Sequence, residues 1–346
     1  MQRIINSLLI LLIIFNFLFV SLGAYLYPIA SIDAVSIWYL KAKAFYLNNG
    51  YIPLEVLKNK YYLNTHPQYP LLLPFIFYIF YVLLNGINET VVAFINPLFY
   101  LLTIIVVYKL LKEMEIKTTL SLILTYAYSM LSPFLAQGGR KHSGDADIFI
   151  LFLNWLAIFF SYKFIKNKNY NFFYILILIV MISSQIKAEG IFLAPILLFI
   201  PVSKKLKFFS IVLSLIPFTL WRVFISYYNI PNDFYFILPS LQEMTIRSFE
   251  IFYYTLKEML KINNWYVFWP VFFVIFILGK RKNEFIKKFI YPSLIFYCGG
   301  FFIFYLLSSI SPQTYVSTSI DRILLQLSPF YYLIFAESVR NISFKK

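Results

Sequence analysis

The chain of 346 residues has little charge, one cysteine and two histidines. Charged residues make up 13% of it, where a soluble globular domain has about 25%, and apolar residues make up 61%. A soluble core of this size could not bury so much apolar surface, which excludes a cytosolic enzyme, and the same composition excludes a disordered chain. The single cysteine, Cys298, excludes an internal disulfide, a secreted disulfide scaffold and a cysteine-based zinc site. Two histidines without a His-x-x-x-His spacing are a weak metal signal.

Long apolar runs are what the sequence has instead. A membrane-spanning helix needs about 20 mainly apolar residues. Ten runs approach that length, and the first lacks a small-x-small cleavage site, so we expect an uncleaved anchor. The ten runs are 4–27, 90–111, 118–136, 147–163, 171–186, 191–202, 208–227, 266–279, 289–309 and 322–338. An eleventh run, 71–84, is short and contains Pro74, which favours a re-entrant or interfacial helix over a span.

The runs predict an all-α polytopic membrane protein with a bundle of about 10–11 transmembrane helices. No internal repeat and no low-complexity linker interrupts them, so we expect one domain over residues 1–346 and no separate soluble domain. The loops 28–70 and 228–265 are then the segments that could select a substrate.

The excess of positive charge is unequally divided between the two sides of the membrane. The net charge is +15, from 30 Lys and Arg against 15 Asp and Glu. If 71–84 does not cross, 18 of the basic and 4 of the acidic residues lie on one side, which gives +14 there and +1 opposite. Short loops rich in Lys and Arg are cytoplasmic, so both termini are expected in the cytoplasm of an integral multi-pass cell membrane protein. Nucleic acid is not needed to explain the charge.

The opposite, extracytoplasmic face collects the remaining polar residues. Its five segments are 28–89, 137–146, 185–190, 228–265 and 310–321. Within the fourth, residues of about 240–262 alternate apolar and polar faces at helical spacing, which predicts an interfacial helix. Seven residues able to carry chemistry map to this face: Asp33, His66, Asp145, Asp147, Lys187, Glu189 and Arg322.

Asp33 follows the first run directly. A helix there would place Asp33, Ile37 and Lys41 on one face, with Trp38 nearby. A carboxylate at the membrane surface can act as a general base. The alternative is a helix N-cap or a solvated loop residue.

Asp145 and Asp147 begin another run, beside Arg140, Lys141 and His142. Ionisable residues at membrane depth are costly and are more often functional than decorative. The two acids could bind a metal ion or a phosphate. The alternative is a helix cap with a local ion pair.

Lys187, Glu189 and Arg322 also lie at the ends of runs. Lys187 and Glu189 could form a self-neutralising turn between antiparallel helices, closed by Gly190. Arg322 could grip a phosphate with two parallel hydrogen bonds, or extend to the interface as a snorkelling side chain.

Six short stretches between residues 32 and 329 resemble polyprenyl-phosphate-dependent glycosyltransferases of the GT-C superfamily. The likeness is greatest to glycosyltransferase family 39-like enzymes, relatives of protein O-mannosyltransferases and the lipid A aminoarabinose transferase. The stretches are IDAVSIWYLKAKAFY, THPQYPLLLP, SGDADIFILF, IKAEGIF, IPND at 230–233 and STSIDRILLQLSP.

This resemblance implies a GT-C-type bundle with a long first outer loop, and Asp33 as the catalytic general base of an inverting transfer. The donor would be a hexose or pentose on a polyprenyl phosphate, and the acceptor the hydroxyl of a glycan, lipid or protein. The residues proposed to bind the donor phosphate are Lys187, Arg322, Arg140 and Lys141. The residues proposed to bind the substrate or acceptor are Trp38, Lys41, His66, Asp145, Asp147, Glu189 and Asp321.

The resemblance leaves the metal question open, because one branch of the superfamily uses a divalent cation. The first loop lacks a paired Asp-x-Asp, so no cofactor is expected, although a divalent cation at Asp147 remains an alternative. A transporter or flippase of lipid-linked sugars is the main competing function, and a membrane scaffold is a third. Transporters usually carry internal repeats and polar residues at the middle of the membrane.

Overall fold

The computed structural model describes residues 1–29, 31–232, 235–279 and 282–341. In these ranges the regular secondary structure is helical, and the one strand-like feature is an isolated antiparallel bridge between Phe236 and Ser308. The predicted all-α fold is confirmed. Asp233 of the IPND stretch lies outside the described residues, as do Lys280, Arg281, Lys345 and Lys346, four of the 18 basic residues assigned to one side.

Sixteen α-helices, three π-helical turns and two 3-10 segments build the described part. The α-helices are α1 Gln2–Leu26, α2 Leu40–Leu47, α3 Leu54–Lys58, α4 Leu72–Leu83, α5 Glu89–Ala93, α6 Ile95–Glu113, α7 Thr118–Ser129, α8 Ser132–Leu135, α9 Asp147–Asn167, α10 Tyr170–Ile186, α11 Lys204–Tyr227, α12 Leu241–Met259, α13 Ile262–Trp265, α14 Phe268–Leu278, α15 Tyr291–Leu307 and α16 Pro312–Arg340. The π turns are Ala34–Tyr39, Ala136–Arg140 and Ile286–Ile290, and the 3-10 segments are Lys60–Thr65 and Ala188–Phe199.

Each of the eleven apolar runs of the sequence falls on a described helix or bent pair of helices. Five are long and apolar enough to cross a membrane, namely α1, Glu89–Glu113, α9, α11 and Ile286–Leu307. The pair Thr118–Ser129 and Ser132–Arg140, bent by 68°, is a sixth if it is one span. Four shorter apolar helices, of 10–17 residues, and the long α16 account for the remaining runs. A polytopic membrane protein is confirmed, and the number of crossings stays a prediction.

α16 lies at the centre of the bundle, although its sequence is less apolar than that of the five candidate spanning helices. It packs against α9, α12, α14 and α15, and nearly every residue from Ile323 to Ala336 is buried. The buried Asn154 amide on α9 donates to the Gln326 carbonyl of α16 at 2.9 Å. Buried polar groups inside a membrane need such partners, since lipid supplies none.

Polar pairs also hold other helices against this centre. The Trp155 Nε1 donates to the Tyr128 hydroxyl at 2.8 Å, and that hydroxyl lies 2.6 Å from Ser328 Oγ. These bonds join α7, α9 and α16. Asn16 on α1 donates to Ser129 Oγ at 2.9 Å. The rest of α1 exposes a large apolar surface, as expected of a helix that faces lipid.

The two ends of the bundle have different charge. At one end, Glu113 pairs with Lys163 and lies 3.5 Å from Lys166, and Arg340 donates to the Met114 carbonyl at 2.7 Å. Asp147, at the other end of α9, lies 19 residues from Lys166, which at helical rise is about 28 Å. That length matches the hydrocarbon core of a bilayer, so the acidic motifs and the basic clusters occupy opposite ends. Which end faces the cytoplasm stays a prediction.

Candidate active site

A cavity of about 660 Å³ lies at the end of the bundle that carries Asp147. This volume is in the range of small-molecule sites, about 300–1,000 Å³. Seven residues singled out in the sequence line it: Asp33, Trp38, His66, Asp147, Lys187, Glu189 and Arg322. They belong to five segments far apart in the chain, so only the tertiary fold brings them together.

Asp33 and Arg322 form an ion pair across this cavity. The Asp33 Oδ2 accepts a hydrogen bond from Arg322 Nη1 at 2.6 Å. Their side chains are 39% and 23% exposed, so a molecule in the cavity can reach the carboxylate. Asp33 precedes the π turn Ala34–Tyr39 and makes no capping hydrogen bond, which argues against a simple cap.

The π turn changes which residues share a face with Asp33. In a π turn the backbone bonds join residues five apart, so the side chains shift from α-helical register. Ile37 and Trp38 line the cavity, whereas Lys41 does not. Lys41 is buried and donates to the His66 carbonyl at 2.7 Å, where it holds the segment that carries His66. The expected common face of Asp33, Ile37 and Lys41 is therefore wrong for Lys41.

Asp147 is the buried centre of the charge cluster. One of its oxygens accepts from Gln326 Nε2 at 2.7 Å and from Lys187 Nζ at 3.2 Å, and the other lies 3.6 Å from Arg322. A buried carboxylate is stable only when it is paired and hydrogen-bonded, and here two cations and an amide meet that need. These contacts join Asp147 to residues distant in the sequence, whereas a helix cap with a local ion pair would join it to its neighbours.

Lys187 is held between two acids. Its Nζ lies 3.2 Å from Asp147 and 3.4 Å from Glu189 Oε1. Burial by itself lowers the pKa of Lys187, but the attraction of Asp147 and Glu189 more than offsets burial and raises that pKa. Lys187 therefore stays an ammonium ion. The expected turn between Lys187 and Glu189 is present. The contact of Lys187 with Asp147 also connects this turn to α9.

Gly190 closes this turn through a close packing contact. It does not adopt the positive φ of a left-handed cap. Instead, a Cβ at Gly190 would lie 2.0 Å from the Ser183 carbonyl oxygen, so the close approach of the chain to α10 excludes a side chain. This packing places Lys187 and Glu189 directly after the C-terminal end of α10.

Arg222 on α11 is a cavity residue that the sequence reading missed. It lines the same cavity, is exposed and, among the described residues, has no carboxylate within 4 Å. Among the described residues, three acids (Asp33, Asp147, Glu189) and three cationic residues (Lys187, Arg222, Arg322) line the cavity. An arginine that interrupts the end of an apolar run was the available signal.

The cavity has a polar end and an apolar wall. Phe192, Phe218, Phe236 and Phe304 form much of the wall, from α11, α15 and the segments beside them. A ligand with a charged head and a long apolar chain fits such a surface. Trp38, Tyr69 and His66 stack on one another at the polar end, with ring centroids 5.8 Å and 4.9 Å apart.

A second, smaller pocket of about 100 Å³ lies on the other side of Arg322. It contains Arg140, Lys141, His142 and Asp321, four residues that do not line the large cavity. The Arg140 guanidinium lies over the Phe19 ring at 5.4 Å. The structure thus separates Arg140 and Lys141 from Lys187, although the sequence reading grouped them.

Asp145 lines neither space. It is buried, accepts a hydrogen bond from Ser31 Oγ and lies 3.2 Å from His142 Nδ1. These contacts fasten the start of the first outer segment to the loop before α9. The contact with Asp145 raises the pKa of His142, and burial raises the pKa of Asp145.

The described ranges hold no group of three or more His, Cys, Asp or Glu that could ligate a metal. Asp147, the position left open for a cation, is already contacted by Lys187 and Arg322. A divalent ion there would have to displace or face two positive charges. Independence from metal stays a prediction.

Residues 66–225 match the protein family described as dolichyl-phosphate-mannose-protein mannosyltransferase. The match covers a little under half of the chain and includes Asp147, Lys187 and Arg222, but neither Asp33 nor Arg322. No curated protein and no solved structure matches the chain. The family match confirms the resemblance of this chain to GT-C glycosyltransferases and indicates a membrane glycosyltransferase.

Proposed function

We propose that this chain moves a sugar from a polyprenyl phosphate to an acceptor hydroxyl, in the large cavity, at the extracytoplasmic face. The observation that carries the proposal is the reachable Asp33 carboxylate, ion-paired with Arg322 at the polar end of a cavity with an apolar wall. The sugar and phosphate would lie at the polar end. The first part of the prenyl chain would lie along the phenylalanines.

Asp33 is the proposed general base. It takes the proton of the acceptor hydroxyl as that oxygen attacks the anomeric carbon, and the bond from that carbon to the phosphate oxygen breaks. Attack from the face opposite the phosphate inverts the anomeric configuration. Arg322 positions the carboxylate through the 2.6 Å bond and is itself adjacent to the leaving group.

The leaving phosphate needs positive charge more than it needs a proton. Arg322 and Lys187 supply part of that charge, but both already face carboxylates. Arg222 is the cavity cation without such a partner in the described chain, so we assign it the closest contact with the phosphate. Arginine suits this role because its guanidinium can donate two parallel hydrogen bonds to phosphate oxygens.

Asp147 is assigned a positioning role. It is buried, and its oxygens are engaged by Lys187, Arg322 and Gln326. It therefore fixes the two cations, and we expect no proton transfer and no metal at this position. Trp38, His66 and Glu189 are the proposed contacts of the sugar or the acceptor, since all three line the same polar end.

The proposal is tested on purified protein in nanodiscs, with a panel of radiolabelled sugars on polyprenyl phosphate and membrane glycans, lipids and peptides as acceptors. Wild type should release polyprenyl phosphate and label an acceptor. Asp33→Asn should do neither, whereas Glu55→Gln, an exposed carboxylate outside both cavities, should resemble wild type. Full turnover by Asp33→Asn would overturn the proposal. In proteoliposomes, which separate two compartments, translocation of donor without sugar transfer would instead favour a flippase.

A further inference from the structure

The small pocket beside Arg322 has no part in the proposed donor site. Ser132, Gln137, Asn264 and Leu325 also line it, so it lies between α8, α13 and α16. Its volume, about 100 Å³, is too small for a prenylated sugar but sufficient for a phosphate or carboxylate group.

Two cations in this pocket lack acidic partners. Arg140 and Lys141 are exposed, and neither lies within 4 Å of a carboxylate in the described chain. This contrasts with Lys187 and Arg322, each paired with two acids. Cations without acidic partners are available to bind an anion.

A buried amide in the pocket is also incompletely bonded. Gln137 is 2% exposed, lines the pocket, and its Oε1 has no hydrogen-bond partner among the described residues. A buried polar atom without a partner costs free energy unless a ligand or water supplies one. A ligand that carries a hydroxyl beside an anionic group would meet both the amide and the cations.

Arg322 borders both the pocket and the cavity, so a molecule anchored in the pocket lies next to the Asp33–Arg322 pair. From there an acceptor would have to extend past Arg322 to bring its hydroxyl to Asp33, which lines the large cavity. Asp321 adds one negative charge to the pocket, which still leaves Arg140 and Lys141 in excess.

We infer that the small pocket binds an anionic group of the acceptor, so that the acceptor is a phosphorylated or carboxylated molecule. This inference rests on the proposed function for the identity of the bound molecule as an acceptor. It assigns Arg140 and Lys141 to the acceptor and leaves the donor phosphate to the large cavity.

The test follows His142, which lines the pocket, by NMR of the full-length protein in nanodiscs. The variant His66→Gln leaves His142 as the single histidine, and ¹³C-labelled histidine then gives one signal. Inorganic phosphate is titrated at constant ionic strength. A saturable shift of the His142 signal is expected, and the absence of one would overturn the inference.

Charge variants locate the bound anion. Arg140→Gln combined with Lys141→Gln should weaken the phosphate Kd by about tenfold or more, the loss expected for charge-assisted hydrogen bonds. Arg3→Gln combined with Lys60→Gln removes the same charge outside both pockets and should leave the Kd unchanged. Lys141→Gln alone serves if the double variant does not fold, because Arg140 packs on Phe19. An unchanged Kd in the folded pocket variants would overturn the inference.

Two further titrations identify the ligand. In the first, acetate replaces phosphate, and the two Kd values are compared. The anion that binds more tightly, carboxylate or phosphate, is the group that the acceptor carries, and either result supports the inference. Farnesyl phosphate, a short prenyl phosphate, should leave the phosphate response of His142 intact. If it abolishes that response by competition, the pocket belongs to the donor and the inference fails. Sugar transfer by Asp33→Asn would refute the proposed function separately, without altering these titrations.

Discussion

Gly190 is the residue whose substitution should most directly disturb the turn that carries Lys187 and Glu189. Alanine there would meet the Ser183 carbonyl at 2.0 Å, so the backbone must shift, and we expect a loss of about 1–3 kcal/mol. Gly299→Ala in α15 is the control, because its Cβ would meet nothing within 4 Å and alanine favours a helix. Thermal unfolding in detergent compares the two. Equal melting temperatures would contradict the packing described for Gly190.

His142 gives a prediction about pH. The contact with Asp145 raises the pKa of His142 above 6.5, against the lowering effect of burial. The imidazolium form therefore adds stability below pH 6.5, and this contribution is lost as pH rises through the folded-state pKa. In His66→Gln protein, NMR titration should show that Asp145→Asn lowers the His142 pKa. The same pKa with and without Asp145 would refute the coupling.

Single residues also show where sequence reading stopped. Asp33, Asp147, Lys187 and Arg322 could be chosen because charges at membrane depth are rare. Arg222 was passed over as part of an apolar run. Lys41 was misplaced because an α-helical face was assumed where the chain forms a π turn. Neither the π turn nor the hydrogen bond of the buried Lys41 ammonium to the His66 carbonyl is signalled by a pattern in the sequence.

At the scale of elements, the charge cluster joins α9, α16 and the segment after α10. Asp147→Asn should leave Lys187 and Arg322 under-compensated and lower stability by about 3 kcal/mol or more, as expected when a buried pair loses one partner. Lys187→Met alone should also destabilise. Combined with Asp147→Asn, the loss should be smaller than the sum of the two, since each removes the other's uncompensated charge. Strict additivity in unfolding measurements would show that the pair is not coupled.

The position of α16 at the centre of the bundle was not predictable from its composition. Apolar runs predict helices, because each run must bury its backbone polar groups in lipid. They do not predict order around a centre, which here depends on tertiary bonds such as Asn154 to Gln326 and Tyr128 to Ser328. The partner of a polar residue 172 or 200 positions away cannot be read from local spacing.

For the whole molecule, the charge pattern predicts which end of the bundle faces the cytoplasm. In protein lacking Cys298, Lys60→Cys and Asn167→Cys place exposed thiols at the two ends. A membrane-impermeant maleimide added to intact cells should label position 60, and position 167 only after permeabilisation. The reverse pattern would place the large cavity on the cytoplasmic side and contradict the proposed sidedness.

Helix positions and the separation of acidic motifs from basic clusters were thus accessible from the sequence. Hydropathy and charge are summed over many residues, and therefore give strong signals. The division of the charged motifs between two pockets was not accessible. Arg140 and Asp147 are only seven positions apart, yet they line different spaces, because the loop between them turns at Gly144 with a positive φ of 90°.

The central claim is that Asp33 is the general base of sugar transfer, and its most direct test is the rate of transfer by Asp33→Asn at saturating donor. Loss of a general base typically lowers a rate by about 10²–10⁴-fold. The account predicts a fall in kcat of that size with little change in the donor KM, while Glu55→Gln keeps both values. A kcat near that of wild type in folded Asp33→Asn protein would contradict it.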